Sequence, residues 1–106
     1  MSYNFIIGNT SKQTQTWTVE NEPEEEVLAP GHGVEYADAD DDKIGVNVTN
    51  PSGDHVATQL RRSGGKFSLY PAGAPFSLHV NGSNVSIHCS DFGSTGTEVV
   101  KRLQRS

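Results

Sequence analysis

The chain has 106 residues, with eight Lys and Arg against 13 Asp and Glu, a net charge of −5 and a pI near 5.2. That length supports one domain, and the acid excess excludes a nucleic-acid partner, because affinity for phosphate backbones is built from clustered cations. The longest apolar run, Phe5-Ile6-Ile7, is too short for a membrane helix, and a single cysteine, Cys89, excludes an internal disulfide and a cysteine-based zinc cluster.

Tyr3 to Gly8 reads as a first strand and Gln13 to Val19 as a second, with Trp17 and Val19 inward. No basic and apolar leader precedes them, which points to a cytoplasmic protein or leaderless export. Asn21 to Glu26 is a charged loop around Pro23, and Val27-Leu28 and Val34 to Tyr36 are short strands either side of a turn at Ala29 to Gly33. Ten of the 13 acids lie between Glu20 and Asp42, so the N-terminal half is acidic, while Arg61, Arg62 and Lys66 form a small basic spot.

From Lys43 onward, alternating runs separated by Gly, Pro and Asn dominate. Pairing Asn50 with Asp54 around Pro51, Ser52 and Gly53 sets Val48 against Val56, Val46 against Thr58 and Ile44 against Leu60. A one-residue slip would destroy that apolar face. A four-residue loop from Arg62 to Gly65, with Arg61 opposite Lys66, sets Leu60 against Phe67 and Thr58 against Leu69. Pro71 and Pro75 cannot sit in a central strand, so Pro71 to Pro75 is a crossover to a second sheet. Asn81-Gly82 is a favoured type I′ turn pair, which sets Val80 opposite Ser83, Leu78 opposite Val85 and Phe76 opposite Ile87. Residues 95–104 combine a capping pattern, Thr95 to Glu98, with β-branched Val99 and Val100, and read as a last strand or a short C-terminal helix. The fold expected is a single-domain, all-β, hairpin-rich antiparallel β-sandwich of seven to nine short strands.

Asp38, Asp40 and Asp42 are spaced as carboxylates that converge on Ca2+ when a loop curls. An EF-hand is excluded, since Lys43 stands where glycine is needed and Thr49 where glutamate is needed, so a calcium loop here would be completed by Glu35 or Asp54. Of the four histidines, His79 and His88 share a face about two residue pairs apart, with no third ligand at a fixed spacing. Ser86, His88 and Asp91 lack a nucleophile elbow and do not read as a triad, and Cys89 falls inward with Val85 and Ile87 as an inert core thiol. Thr14, Thr16 and Thr18 form one threonine-rich strand, and the four N-x-S/T sequons reflect an Asn- and Ser-rich chain.

Trp17 is either core or an exposed platform, and Tyr36 beside Asp38, Asp40 and Asp42 makes a rim suited to polyhydroxylated ligands. In general character the chain resembles small lectins and other leaderless β-sandwich proteins, with no motif that carries residues across. The leading expectation is a non-enzymatic binding module that recognises a glycan or a protein through its loops. Its ligand-contacting residues would be Trp17, Glu35 and Tyr36, its candidate metal ligands Asp38, Asp40 and Asp42, and Ca2+ its candidate cofactor. The alternatives are a membrane-acting protein of the cytolysin type, which the negative charge disfavours, and an assembly subunit or homo-oligomer pairing through sheet edges.

Overall fold

The computed structural model describes residues 2–93, which contain nine strands and no helix. The strand-or-helix alternative for residues 95–104 lies outside the described residues. The strands are β1 (Tyr3–Asn9), β2 (Gln15–Val19), β3 (Glu26–Leu28), β4 (Gly33–Ala39), β5 (Lys43–Thr49), β6 (His55–Ser63), β7 (Lys66–Tyr70), β8 (Phe76–Asn81) and β9 (Asn84–Cys89). They form two packed sheets, a four-stranded one in the order β4-β1-β9-β8 and a five-stranded one in the order β3-β2-β5-β6-β7. The sandwich expected from the sequence is the fold.

Strand alternation produces the core. Phe5 and Ile7 of β1 and Val85, Ile87 and Cys89 of β9 face Trp17 and Val19 of β2 and Ile44, Val46 and Val48 of β5, all buried. Trp17 meets Phe76 edge to face at 6.3 Å across the sandwich. Each large apolar side chain placed there contributes about 1.5–3 kcal/mol of transfer free energy.

The β5–β6 hairpin has the expected register, Val48 opposite Val56, Val46 opposite Thr58 and Ile44 opposite Leu60. The Asn50 carboxamide holds its turn, accepting from the Ser52 and Asp54 amides at 3.0 Å each. The next two hairpins differ from expectation by a two-residue shift in register. In β6–β7, Ser63 pairs with Lys66 and Arg62 with Phe67, so the loop is only Gly64-Gly65. Both glycines have positive φ, +58° and +76°, as a type I′ turn requires. In β8–β9, Asn81 pairs with Asn84 and the loop is Gly82-Ser83, with Gly82 at φ +62°. That register sets Val80 against Val85, Leu78 against Ile87 and Phe76 against Cys89, where the Asn-Gly turn would have left Val80 facing Ser83. The chain passes between sheets after β7, as the two prolines imply: the Thr58 hydroxyl donates to the Pro71 carbonyl and the Ser90 amide to that of Pro75.

One pairing departs from the antiparallel rule. β1 and β9 run parallel, from Asn4 beside Asn84 to Asn9 beside Cys89. The two ends of the sandwich consequently differ. Where β1 finishes, buried amides form a polar plug. Asn9 Nδ2 donates to the Gln13 and Leu28 carbonyls, its Oδ1 accepts from Ser11, and Gln15 donates to the Cys89 carbonyl while accepting from Trp17 Nε1. Where β1 starts, the sandwich is open.

Candidate functional site

At the open end, the start of β1, the β6–β7 tip and the β8–β9 turn surround a cavity of about 600 Å³. Its apolar wall is Tyr3 and Phe67, whose rings meet edge to face at 4.9 Å. Its polar wall is Arg62 and Asp42. Because Arg62 pairs with Phe67, it falls on the inward face of β6, one alternation beyond Leu60. The arginine lies there against the cavity, and its side chain is only 16% exposed. The guanidinium lies 5.2 Å from the Tyr3 ring centre. Its Nε donates to Asp42 Oδ1 at 2.9 Å, and Nη2 donates to the Asp40 carbonyl at 2.7 Å and to its Oδ1 at 3.1 Å. The Tyr3 hydroxyl donates to the Asp41 carbonyl at 2.7 Å, so the β4–β5 connection is tied down on both sides of Asp41. Hydrogen bonds from Arg62 hold the Asp40 carboxyl below its ordinary range, and Asp42 and Asp40 raise Arg62 in turn. Burial pushes the Tyr3 phenol up.

Beyond that connection lies a second cavity, of about 400 Å³, between β4 and the end of β2 and start of β5 in the other sheet. Glu20, Glu22, Asp38, Asp40 and Tyr36 line it. Here β4 carries a bulge. Tyr3 pairs with Ala39 but Phe5 with Tyr36, so one extra residue is accommodated at Ala37-Asp38, and Asp38 takes a left-handed φ of +58°. Tyr36 stacks on Phe5 at 6.0 Å, and its buried hydroxyl meets no hydrogen-bond partner among the described residues. Burial, and after it Glu26 and Glu22, raises this phenol.

The residues expected to form one site are therefore divided. Trp17 is core, not a ligand platform: it is fully buried, because Gln15 supplies an acceptor for its indole N–H and removes the need for a wet edge. Glu35 and Tyr36 are adjacent on β4 and point to opposite faces, Glu35 outward and Tyr36 half-buried inward. Asp38 and Asp40 line the acidic cavity and Asp42 the aromatic one. Among the described residues no group of three or more His, Cys, Asp or Glu side chains is placed to hold a metal ion, and Asp40 and Asp42 converge instead on the Arg62 guanidinium. Tyr3, Arg62 and Phe67 were not legible as site residues. The signal that finds them is Gly64-Gly65, which as a two-residue turn turns Arg62 inward.

Cys89, the one thiol in the chain, is fully buried and pushed up to about 12 by burial, so it is not a nucleophile at neutral pH. No helix among the described residues is long and apolar enough to cross a membrane. Compared with known proteins, the chain matches no family model, no curated protein and no solved structure.

Proposed function

We propose that the chain is a non-enzymatic binding module that takes a glycan in the cavity at the open end of the sandwich. The observation that carries this reading is the meeting of the Tyr3–Phe67 aromatic pair with the Arg62 guanidinium and the Asp42 carboxylate in one cavity. A sugar ring offers C–H faces that rest on aromatic surface and hydroxyls that pair with planar charged groups; half-buried Phe67, with Tyr3 buried behind it, supplies the first and Arg62 with Asp42 the second. The volume of about 600 Å³ falls within the ~300–1,000 Å³ usual for small-molecule sites. Gly64, Gly65 and Gly82 at the mouth leave it unobstructed, and the β4–β5 connection, held by Arg62 and Tyr3, is a preformed wall.

The competing classes have less in their favour. Val27, Tyr70 and Val80 are the exposed large apolar residues among those described. They stand on β3 and β7, at opposite edges of one sheet, and on β8 in the other, so they make no common patch for a bilayer.

The test is a glycan array probed with labelled protein, followed by calorimetry on the hits. Phe67→Ala is expected to lose about tenfold or more in affinity through the missing aromatic surface. Ser83→Leu, an exposed turn substitution that narrows the mouth, is expected to weaken the same hits while leaving the melt unchanged. An array without hits, or hits that both variants keep at wild-type affinity, overturns the reading. Sedimentation with liposomes or growth in mass with concentration would favour the membrane or assembly class instead.

A further inference from the structure

The outer face of the four-stranded sheet carries a second constellation, remote in its chemistry from the aromatic cavity. The β8–β9 register pairs His79 with Ser86 and Ser77 with His88, which makes the two histidines diagonal neighbours on one face. Their ring centroids are 5.1 Å apart with the planes tilted by 53°. With the Asn-Gly turn expected from the sequence the two would stand a further pair apart, so the observed Gly82-Ser83 turn is what joins them.

We propose that His79 and His88 form a two-imidazole site for a borderline divalent metal ion, Cu2+, Ni2+ or Zn2+. An ion about 2.1 Å from one nitrogen of each ring, with tetrahedral angles, holds the two centroids roughly 5 Å apart, which is the separation found. The His88 ring is positioned before any ion arrives. It lies over Gly8, where an added Cβ would sit 2.6 Å from its Cδ2 and 3.1 Å from its Nε2, so the absence of a side chain there is what admits the imidazole. Gly33 pairs with Gly8 on the other side. His79 is exposed and approaches from the solvent side. Neither imidazole makes a hydrogen bond to a described residue, so no described residue competes with an ion for the ring nitrogens. Among the described residues no third His, Cys, Asp or Glu joins the pair, which leaves the remaining coordination positions to water.

The experiment is calorimetric titration of untagged protein with CuCl2, NiCl2 and ZnCl2, with the imidazole resonances followed by NMR. One ion per chain is expected, with Cu2+ bound most tightly and with shifts confined to His79 and His88. His79→Asn, a surface change, should weaken binding about tenfold or more without moving the metal-free melt, and His88→Asn should do the same to affinity. The double variant His32→Asn/His55→Asn should bind as the wild type does. Binding that survives His79→Asn, or no saturable binding at millimolar ion, overturns the proposal. Because the glycan cavity involves neither histidine, loss of the metal site and loss of the glycan site are separately observable.

Discussion

The guanidinium of Arg62, on β6, lies 5.2 Å from the ring centre of Tyr3, on β1, and so spans the gap between the two sheets at the open end. Its far edge carries Asp40 and Asp42. Asp40 titrates below its ordinary range because of this cation, so its contribution to stability is present above the unfolded carboxylate value, about 3.9, and is lost as pH falls through the lower folded value. Thermal melts between pH 7 and pH 2 are expected to show that loss in the wild type and a smaller one in Arg62→Met. Equal acid sensitivity in the two proteins would detach the ion pairs from stability.

With a guanidinium already between Asp40 and Asp42, the melt is expected to be the same in EDTA and in excess Ca2+. A native-only site filled at 100 times its Kd would add about 2.7 kcal/mol. A domain of this size would then melt roughly 10 °C higher or more, a shift differential scanning calorimetry resolves easily. A rise of that size would restore the carboxylate run as a calcium loop.

Gln15→Leu removes the acceptor of the Trp17 indole N–H and the donor to the Cys89 carbonyl at one stroke. The Cys89 carbonyl still accepts from the Thr10 amide at 3.1 Å, so the Trp17 indole N–H is the one group left unpaired, and a loss of about 1–3 kcal/mol is expected in urea titration. Trp17, the only tryptophan, reports the transition by fluorescence. Retention of wild-type stability would mean that the plug contributes no net energy.

Two glycines on the outer face predict unequal penalties. An alanine Cβ at Gly33 would lie 2.6 Å from the Ile7 carbonyl oxygen, a backbone atom of the neighbouring strand, whereas at Gly8 it would meet the His88 ring, which can swing away. Gly33→Ala should cost about 1–3 kcal/mol and Gly8→Ala less, as denaturation midpoints will show. Gly8→Ala should also weaken metal binding, since it displaces His88.

Cys89 should be invisible to thiol reagents in the native state. With the thiol buried and raised to about 12, Ellman's reagent is expected to react only as fast as the chain opens, and fully in denaturant. Rapid native labelling would contradict the burial.

What the sequence revealed follows the range of the interactions involved. The Asn50–Asp54 hairpin was readable because turn residues and apolar faces agree on one local solution. The two neighbouring hairpins were misplaced by a two-residue shift in register for a physical reason. That slip moves each residue's partner by two positions, so every side chain keeps its face and alternation alone permits either register. Only the positive φ values of Gly64, Gly65 and Gly82 decide. The candidate cavity depends on those registers and on Tyr3 meeting Arg62 and Phe67, and no local signal encodes a contact between residues some 60 positions apart. Asp38 and Asp40 beside Tyr36 were foreseen as neighbours. That Glu35 turns away from them is a consequence of alternation once β4 extends to Ala39.

The parallel ladder of β1 and β9 sets how the molecule bears force. β1 starts at the open end and β9 finishes at the plugged end, so tension applied at Tyr3 and Cys89 in opposite directions along the strands loads the register from Asn4–Asn84 to Asn9–Cys89 in shear. The rungs then share the load and yield together. The β8–β9 hairpin pulled apart at Phe76 and Cys89 would instead unzip pair by pair at far lower tension. The sandwich is thereby stiffer to tension along β1 and β9 than to tension that peels β8 from β9.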